Sequence, residues 1–331
     1  MSILVVGGAG YIGSHAVYKL IEKNERVVVI DNLSTGHKNA IHPKAVFYQG
    51  DIRDKVFLEK VFQQEKIVGV LHFAALSLVG ESMSAPLPYF YNNVYGTQIL
   101  LDVMKEFYVR NLVFSSSAAI YGEPSLIPIT EDALPLPANP YGESKLAVEK
   151  LLKWCDHAYG IRFVALRYFN VAGAHASGEI GEAHDPETHL IPLVLEVALG
   201  KRKYISIFGD DYSTKDGTCI RDYIHVDDLV DAHLLALKYL MQGGKSDSFN
   251  IGSDQGFSVL DIIKAAQRIT KHPIPSKITE RRQGDPGCLI ASSEKAKSIL
   301  GWKPVRTSVE TMIKDAWRWH HRHPLGYKQH A

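Results

Sequence analysis

Ser2-Ile3-Leu4-Val5-Val6-Gly7-Gly8-Ala9-Gly10-Tyr11-Ile12-Gly13 is the stretch from which the rest of the chain is read. A short β-branched run meets three glycines spaced G-x-x-G-x-x-G, and Ala16, Val17, Leu20 and Ile21 follow at helical spacing. The pattern is strand, glycine turn, helix. Glycine lets the backbone turn tightly and bring its N–H groups, with the positive end of the helix, up to a diphosphate. Set between a strand and a helix, the triplet predicts a dinucleotide site with Gly7, Gly10 and Gly13 at its floor. Residues 26–30 read as a second strand that stops at Asp31. An acid at that point accepts hydrogen bonds from an adenosine ribose and repels a 2′-phosphate, so NAD is expected rather than NADP.

Outward from this unit, residues 46–49, 68–73, 111–115 and 161–168 read as strands, with helical stretches at 55–64 and 89–107 between them. Such alternation predicts an α/β fold, a Rossmann-type doubly wound parallel sheet covered on both faces. Ligands of these sheets bind beyond the carboxyl ends of the strands. Asp51 and Ile52, Phe73 to Ala75, and the serines at 115 to 117 all fall there.

Asn139-Pro140-Tyr141-Gly142-Glu143-Ser144-Lys145 begins a helix, Asn being a favoured N-cap and Pro a favoured first residue. Tyr141 and Lys145 are four apart and share a face. An ammonium about 4 Å from a phenol in a partly wet site is worth about 4 kcal/mol, enough to bring the phenol well below its ordinary pKa near 10. Tyr141 is thereby a candidate general base. The five prolines between 124 and 140 mark an ordered loop that leads into this helix.

Composition bounds the alternatives. The chain has 331 residues, 46% hydrophobic and 22% charged, with a net charge of +1, which offers no general attraction for nucleic acid or an anionic membrane. No apolar run is long enough to span a bilayer and no leader is apparent, so a cytoplasmic protein is expected. Cys155, Cys219 and Cys288 lack C-x-x-C spacing and read as reduced thiols. The histidines at 320, 321 and 323 have no accompanying Cys or carboxylate pattern, and no metal is expected.

From Asn170 the texture changes to a stretch rich in Gly, Ala, His and acids, then to short strands and helices with arginines at 221, 281 and 282. Guanidinium forks suit a diphosphate. A second, smaller α/β unit is expected here.

Together the glycine turn, Asp31, the serines and Tyr-x-x-x-Lys resemble the extended short-chain dehydrogenase/reductase family. The likeness narrows further. Gly7 to His15, Asp31-Asn32-Leu33, Gly50 to Arg53, Asn92-Asn93-Val94, Tyr121-Gly122, Arg167 to Asn170, Ile207 to Gly209, Arg221 to Val226 and Arg281 to Asp285 are similar in order and spacing to the UDP-glucose 4-epimerases of that family. It covers essentially the whole chain. The resemblance implies an NAD-dependent isomerase of galactose metabolism acting on UDP-glucose and UDP-galactose through a 4-keto sugar, with the N-acetylated pair as weaker substrates. It implies Tyr141, Lys145 and Ser117 as the catalytic set. Cofactor contacts carry over to Tyr11 and Ile12 of the glycine turn, to Asp31, Asn32, Leu33, Ser34, Thr35 and Gly36, and to Asp51 and Ile52. They continue through Phe73, Ala74, Ala75, Ser77, Asn93, Ser115 and Tyr168. Substrate contacts carry over to Phe169, Asn170, His189, Leu190, Phe208, Arg221, Arg282 and Asp285, with Leu289 beside the sugar 2-substituent. Ser77, His189 and Val6 depart from residues common in the family.

The resemblance also implies a cofactor domain of residues 1–171, rejoined by 219–246, and a nucleotide-sugar domain of 172–218 and 247–331. It implies a homodimer through the helices near Pro88 and Pro140, using Leu146, Leu151, Leu152 and Trp154. Three other readings remain: another NAD-dependent nucleotide-sugar epimerase, a 4,6-dehydratase, which needs an Asp-Glu pair where this chain has Ala118-Ala119, and a non-catalytic NAD-sensing regulator.

Overall fold

The structure, a computed structural model, describes residues 1–282 and 286–328. Six strands follow the expected alternation: β1 (Ser2–Val6), β2 (Val27–Asp31), β3 (Val46–Gln49), β4 (Ile67–His72), β5 (Asn111–Ser117) and β6 (Arg162–Tyr168). Seven short strands follow: β7 (Asn170–Ala172), β8 (Ile205–Phe208), β9 (Ile220–His225), β10 (Asp247–Ile251), β11 (Gly256–Ser258), β12 (Ser276–Thr279) and β13 (Cys288–Leu289). The main sheet has the order β10-β6-β5-β4-β1-β2-β3 and is parallel throughout.

Successive side chains of a strand point to opposite faces, and here both faces are buried. Ile3, Val5, Val29 and Leu71 pack with the helices Tyr11–Glu22 and Val226–Met241. Leu4, Val6, Val28 and Val70 pack on the other face with Lys55–Gln64, Gly96–Glu106 and Pro140–Tyr159. That is the doubly wound arrangement. The smaller unit joins β11, β9, β13 and β7 in one sheet and β8 with β12 in another. A separate core of Val194, Ile207, Ile262 and Met312 lies beneath the helices Leu190–Ala198, Val259–Thr270 and Val309–Arg322.

The boundaries differ from those expected. β9 pairs with β7, β11 and β13, so residues 220–225 belong to the small sheet and the chain rejoins the large one only with the helix from Val226. It also stays longer than residue 246. β10 forms the sheet edge beside β6, and Phe249 and Ile251 enter the core with Leu166. Trp302 joins that core and donates from Nε1 to the Asp228 carbonyl at 2.8 Å. The helix expected over 89–107 is three pieces, Pro86–Tyr89, a π-helical Phe90–Tyr95 and Gly96–Glu106. Of the four residues expected on a contact face, Leu146 and Leu152 are buried inside. Trp154 is 71% exposed, and Leu87 and Tyr91 are exposed too. Among the described residues no helix is long and apolar enough to cross a membrane.

Candidate active site

A cavity of about 1240 Å³ opens at the carboxyl ends of the main strands and continues to the small unit. Its floor is the glycine turn. Gly7 has φ +80°, and a Cβ on Gly13 would lie 2.1 Å from the Gly7 carbonyl oxygen, so neither position admits a side chain without moving the backbone. No side chain caps the helix that starts at Tyr11, and Tyr11, Ile12 and Gly13 line the cavity with it. Uncapped N–H groups at a helix start are what a diphosphate requires. Asp31 takes the amides of Ala9 (2.9 Å) and Leu33 (2.8 Å) on separate oxygens. Burial raises its pKa and those two amides pull it back. These residues fit the adenosine and diphosphate of NAD.

Not every expected contact faces the cavity. Ile52, Phe73, Ala74, Ala75 and Ser77 line it, as do Asn32, Ser34, Thr35 and Gly36. Asp51 instead is clasped by Arg53 at 2.6 Å and receives the Asn32 amide at 2.9 Å. Those bonds hold its carboxyl well below the usual range. Asn93 is buried, accepting from the Leu76 amide and donating to Ser144 Oγ at 3.0 Å, and so fixes the loop after β4 to the Tyr141 helix. Ser115 Oγ lies 3.1 Å from His233 Nε2. Asp51, Asn93 and Ser115 stand behind the wall, Leu33 contributes to the turn beside Asp31, and Asp285 lies outside the described residues.

Asn139 caps the central helix by accepting from the Gly142 amide at 2.9 Å, with Pro140 at its first position, as the sequence predicts. Ser117, Tyr141 and Lys145 all reach the cavity. Lys145 Nζ donates to the Ser115 carbonyl at 2.8 Å and lies 5.8 Å from the centre of the Tyr141 ring, over Phe114 at 4.9 Å. The expected lowering of the phenol by this ammonium is not found. Burial raises the Tyr141 pKa, offset in part by the Ser117 hydroxyl, while burial lowers Lys145 to about 7. The physical reason is that both groups are desolvated, and the ammonium is turned to a backbone oxygen rather than to the phenol oxygen. In this arrangement Ser117 is the group that eases ionisation of Tyr141.

Tyr168, at the end of β6, lines the cavity on the side of Ser115 and Tyr141, and the opposite wall carries Phe169, Asn170, His189, Leu190, Phe208, Arg221, Arg282 and Leu289. The Arg282 guanidinium stacks on Phe208 at 4.0 Å, presenting a cation and a flat apolar face together. Sequence reasoning missed His184, Glu187 and Cys219, which also line the cavity. The signal for the first two was the His-x-x-Glu-x-His spacing from His184 to His189.

Residues 3–252 match the family described as NAD dependent epimerase/dehydratase. A UDP-glucose 4-epimerase of Lacticaseibacillus casei is 59% identical over 327 residues, covering 99% of each chain. Among solved structures, a UDP-glucose 4-epimerase from Brucella ovis in complex with NAD superposes with a TM-score of 0.94 at 45% identity, covering 96% of this chain and 98% of that one. One from Bifidobacterium longum in complex with NAD+ and UDP gives 0.93 at 39%, covering 98% and 100%.

Proposed function

The chain belongs to the NAD dependent epimerase/dehydratase family, and on that premise we propose that it interconverts UDP-glucose and UDP-galactose by inverting C4 through a 4-keto sugar. The observation that carries this reading is that Ser117, Tyr141 and Lys145 share one cavity with the glycine turn, while Phe208, Arg221 and Arg282 line the same cavity from the small unit. When bound, NAD supplies the oxidant that takes the C4 hydride and returns it to the opposite face.

The chain's own residues do the rest. Tyr141 Oη takes the proton of the 4-hydroxyl and gives it back, with Ser117 Oγ bonded to the same oxygen pair and easing the phenolate. Lys145 would hold the nicotinamide ribose of bound NAD and place a positive charge on the face of the helix that carries Tyr141. Arg221 and Arg282 hold the substrate diphosphate, and Phe208 stacks by the uracil. Leu289, half-buried against the Ala118–Tyr121 segment, borders the sugar. The dehydratase reading is not favoured, because Ala118 and Ala119 at the wall supply neither acid nor base. The large unit carries the cofactor and the small unit the nucleotide sugar. A second copy of the chain covers the exposed Leu87, Tyr91 and Trp154, and three cysteines free of disulfides suit a reducing compartment such as the cytoplasm.

The test is to incubate the purified protein with UDP-galactose without added NAD and read the products, alongside the dinucleotide released on denaturation. Conversion to UDP-glucose with about one dinucleotide per chain is expected, since a cofactor restored in every cycle has no need to leave. An intact bound cofactor with no turnover would favour a sensing role instead.

A further inference from the structure

We propose that Glu182, His184, Glu187 and His189 form a binding site for a divalent transition-metal ion of the zinc class in the wall of the cavity. Each offers one ligand atom, and these atoms all lie within 4.8 Å of one another. His184 Nδ1 is 3.2 Å from Glu182 Oε1 and 3.6 Å from Glu187 Oε2, and His189 Nδ1 is also bonded to Glu182 Oε1. Ligands about 2.0–2.2 Å from a tetrahedral ion stand about 3.3–3.6 Å apart, which the two His184 pairs already approach, while the direct His189–Glu182 bond must open to admit the ion. Two imidazoles with two carboxylates suit zinc, cobalt or nickel better than calcium or magnesium, which take oxygen ligands.

A second observation comes from burial. Glu182 is 3% exposed, and among the described residues its ion-pair partners are these two histidines alone, with no Lys or Arg. A buried carboxylate must be compensated by a positive charge. Either both imidazoles carry protons, or one divalent ion replaces those protons and balances Glu182 and Glu187 together. The surrounding bonds favour a held geometry. Glu187 Oε1 accepts from the amides of Thr188 (2.8 Å) and His189 (2.9 Å), which leaves Oε2 facing His184. Next to Glu182, the Gly181 amide donates to Tyr327 Oη at 2.9 Å, and that hydroxyl donates to the Gly181 carbonyl at 3.0 Å. Such outer bonds orient ligands before the ion arrives. His184, Glu187 and His189 line the cavity, so a bound ion lies at its wall, whichever sugar enters.

The probe is zinc chloride added to chelator-stripped, NAD-loaded protein, followed by calorimetry and thermal melting, with cobalt chloride as the spectroscopic counterpart. About one ion per chain is expected, with a zinc-induced rise in melting temperature and visible cobalt absorption typical of four-coordination. His184→Asn and Glu187→Gln should each weaken zinc binding by about 100-fold or more and abolish the cobalt spectrum. His321→Asn, in the exposed turn of the last helix, should leave all three signals in place. Melting curves without metal separate loss of ligand from loss of fold, and Glu187→Gln keeps the side-chain shape if His184→Asn unfolds. Equal zinc affinity in the natural protein and both ligand variants, or no binding at all, would overturn the site and leave a cluster compensated by protons alone.

Discussion

The two walls of the cavity are made in different ways. On the sheet side, the glycine turn, Asp31 and the Tyr141 helix are fixed by backbone: a φ of +80° at Gly7, a peptide contact that excludes any Cβ at Gly13, and a capped helix start. On the other side Phe208 and Leu289 stand on the short strands β8 and β13, Arg282 stacks on Phe208, and the Glu182–His189 segment is held by ion pairs, so stretches far apart in the chain meet there. A wall built of backbone tolerates little change and serves one ligand. Across from it, Arg282 and Leu289 present side chains that can be exchanged.

The largest effect should fall on the backbone-built side. Tyr141→Phe keeps the ring in place and removes the proton carrier, so kcat should fall about 10² to 10⁴-fold with little change in substrate affinity. Near-normal kcat would remove Tyr141 from its assigned role. Gly13→Ala puts a methyl into the Gly7 carbonyl. Overpacking of this kind costs about 1–3 kcal/mol or more, and we expect a lower melting temperature and protein that purifies without its dinucleotide. At Gly80, where a Cβ would meet nothing within 4 Å, alanine should leave the melting temperature unchanged. If the two variants behave alike, the close contact at Gly13 is not what holds the turn.

Across the cavity, Leu289 sets a smaller effect. Leu is shorter than Tyr and offers an acetamido group no hydrogen bond, so UDP-N-acetylgalactosamine should be converted measurably but less well than UDP-galactose. Leu289→Tyr should widen that gap and a Cys there narrow it, by about 1–3 kcal/mol in kcat/KM. An N-acetyl rate that stays undetectable in all three forms would show that the gate is elsewhere.

Acid provides the gentlest probe. Burial holds His15 and His72 down to about 3 and His233 to about 4, from an ordinary 6.5, and all three lie in the large unit. A depressed imidazole contributes stability in full above pH 6.5, and that stability is lost as pH falls, because the unfolded chain takes up the proton first. The melting temperature should fall from pH 6.5 towards 4, less steeply in His72→Asn. A flat profile over that window would contradict the assignment.

What could be read from sequence follows the same division. β1 to β6, the glycine turn and the capped start at Asn139 depend on neighbours a few residues away, and the expectations for them match the structure. The orientation of Lys145 could not be read that way, because the acceptor that takes its ammonium, the Ser115 carbonyl, lies 30 residues upstream on the strand β5. The burial of Leu146 and Leu152 was hidden likewise, since helical spacing shows that a face is apolar but not what covers it. The pairing of β10 with β6 needed a partner some 80 residues distant. The ring of Glu182, His184, Glu187 and His189 is short in sequence, yet only the fold brings its atoms together.

β10 at the edge of the main sheet, with Trp302 sealing the core beside it, has a consequence for synthesis on the ribosome. The emerging chain displays most of a parallel sheet by the time residue 168 is made, but β6 then waits with an open edge while the small unit is translated. At about 5–20 residues per second the interval from the end of β6 to the end of β10 lasts roughly 4 to 17 seconds. For that period the nascent protein offers an unpaired strand to its neighbours. Whatever shields that edge during translation would keep it from pairing with a neighbouring chain.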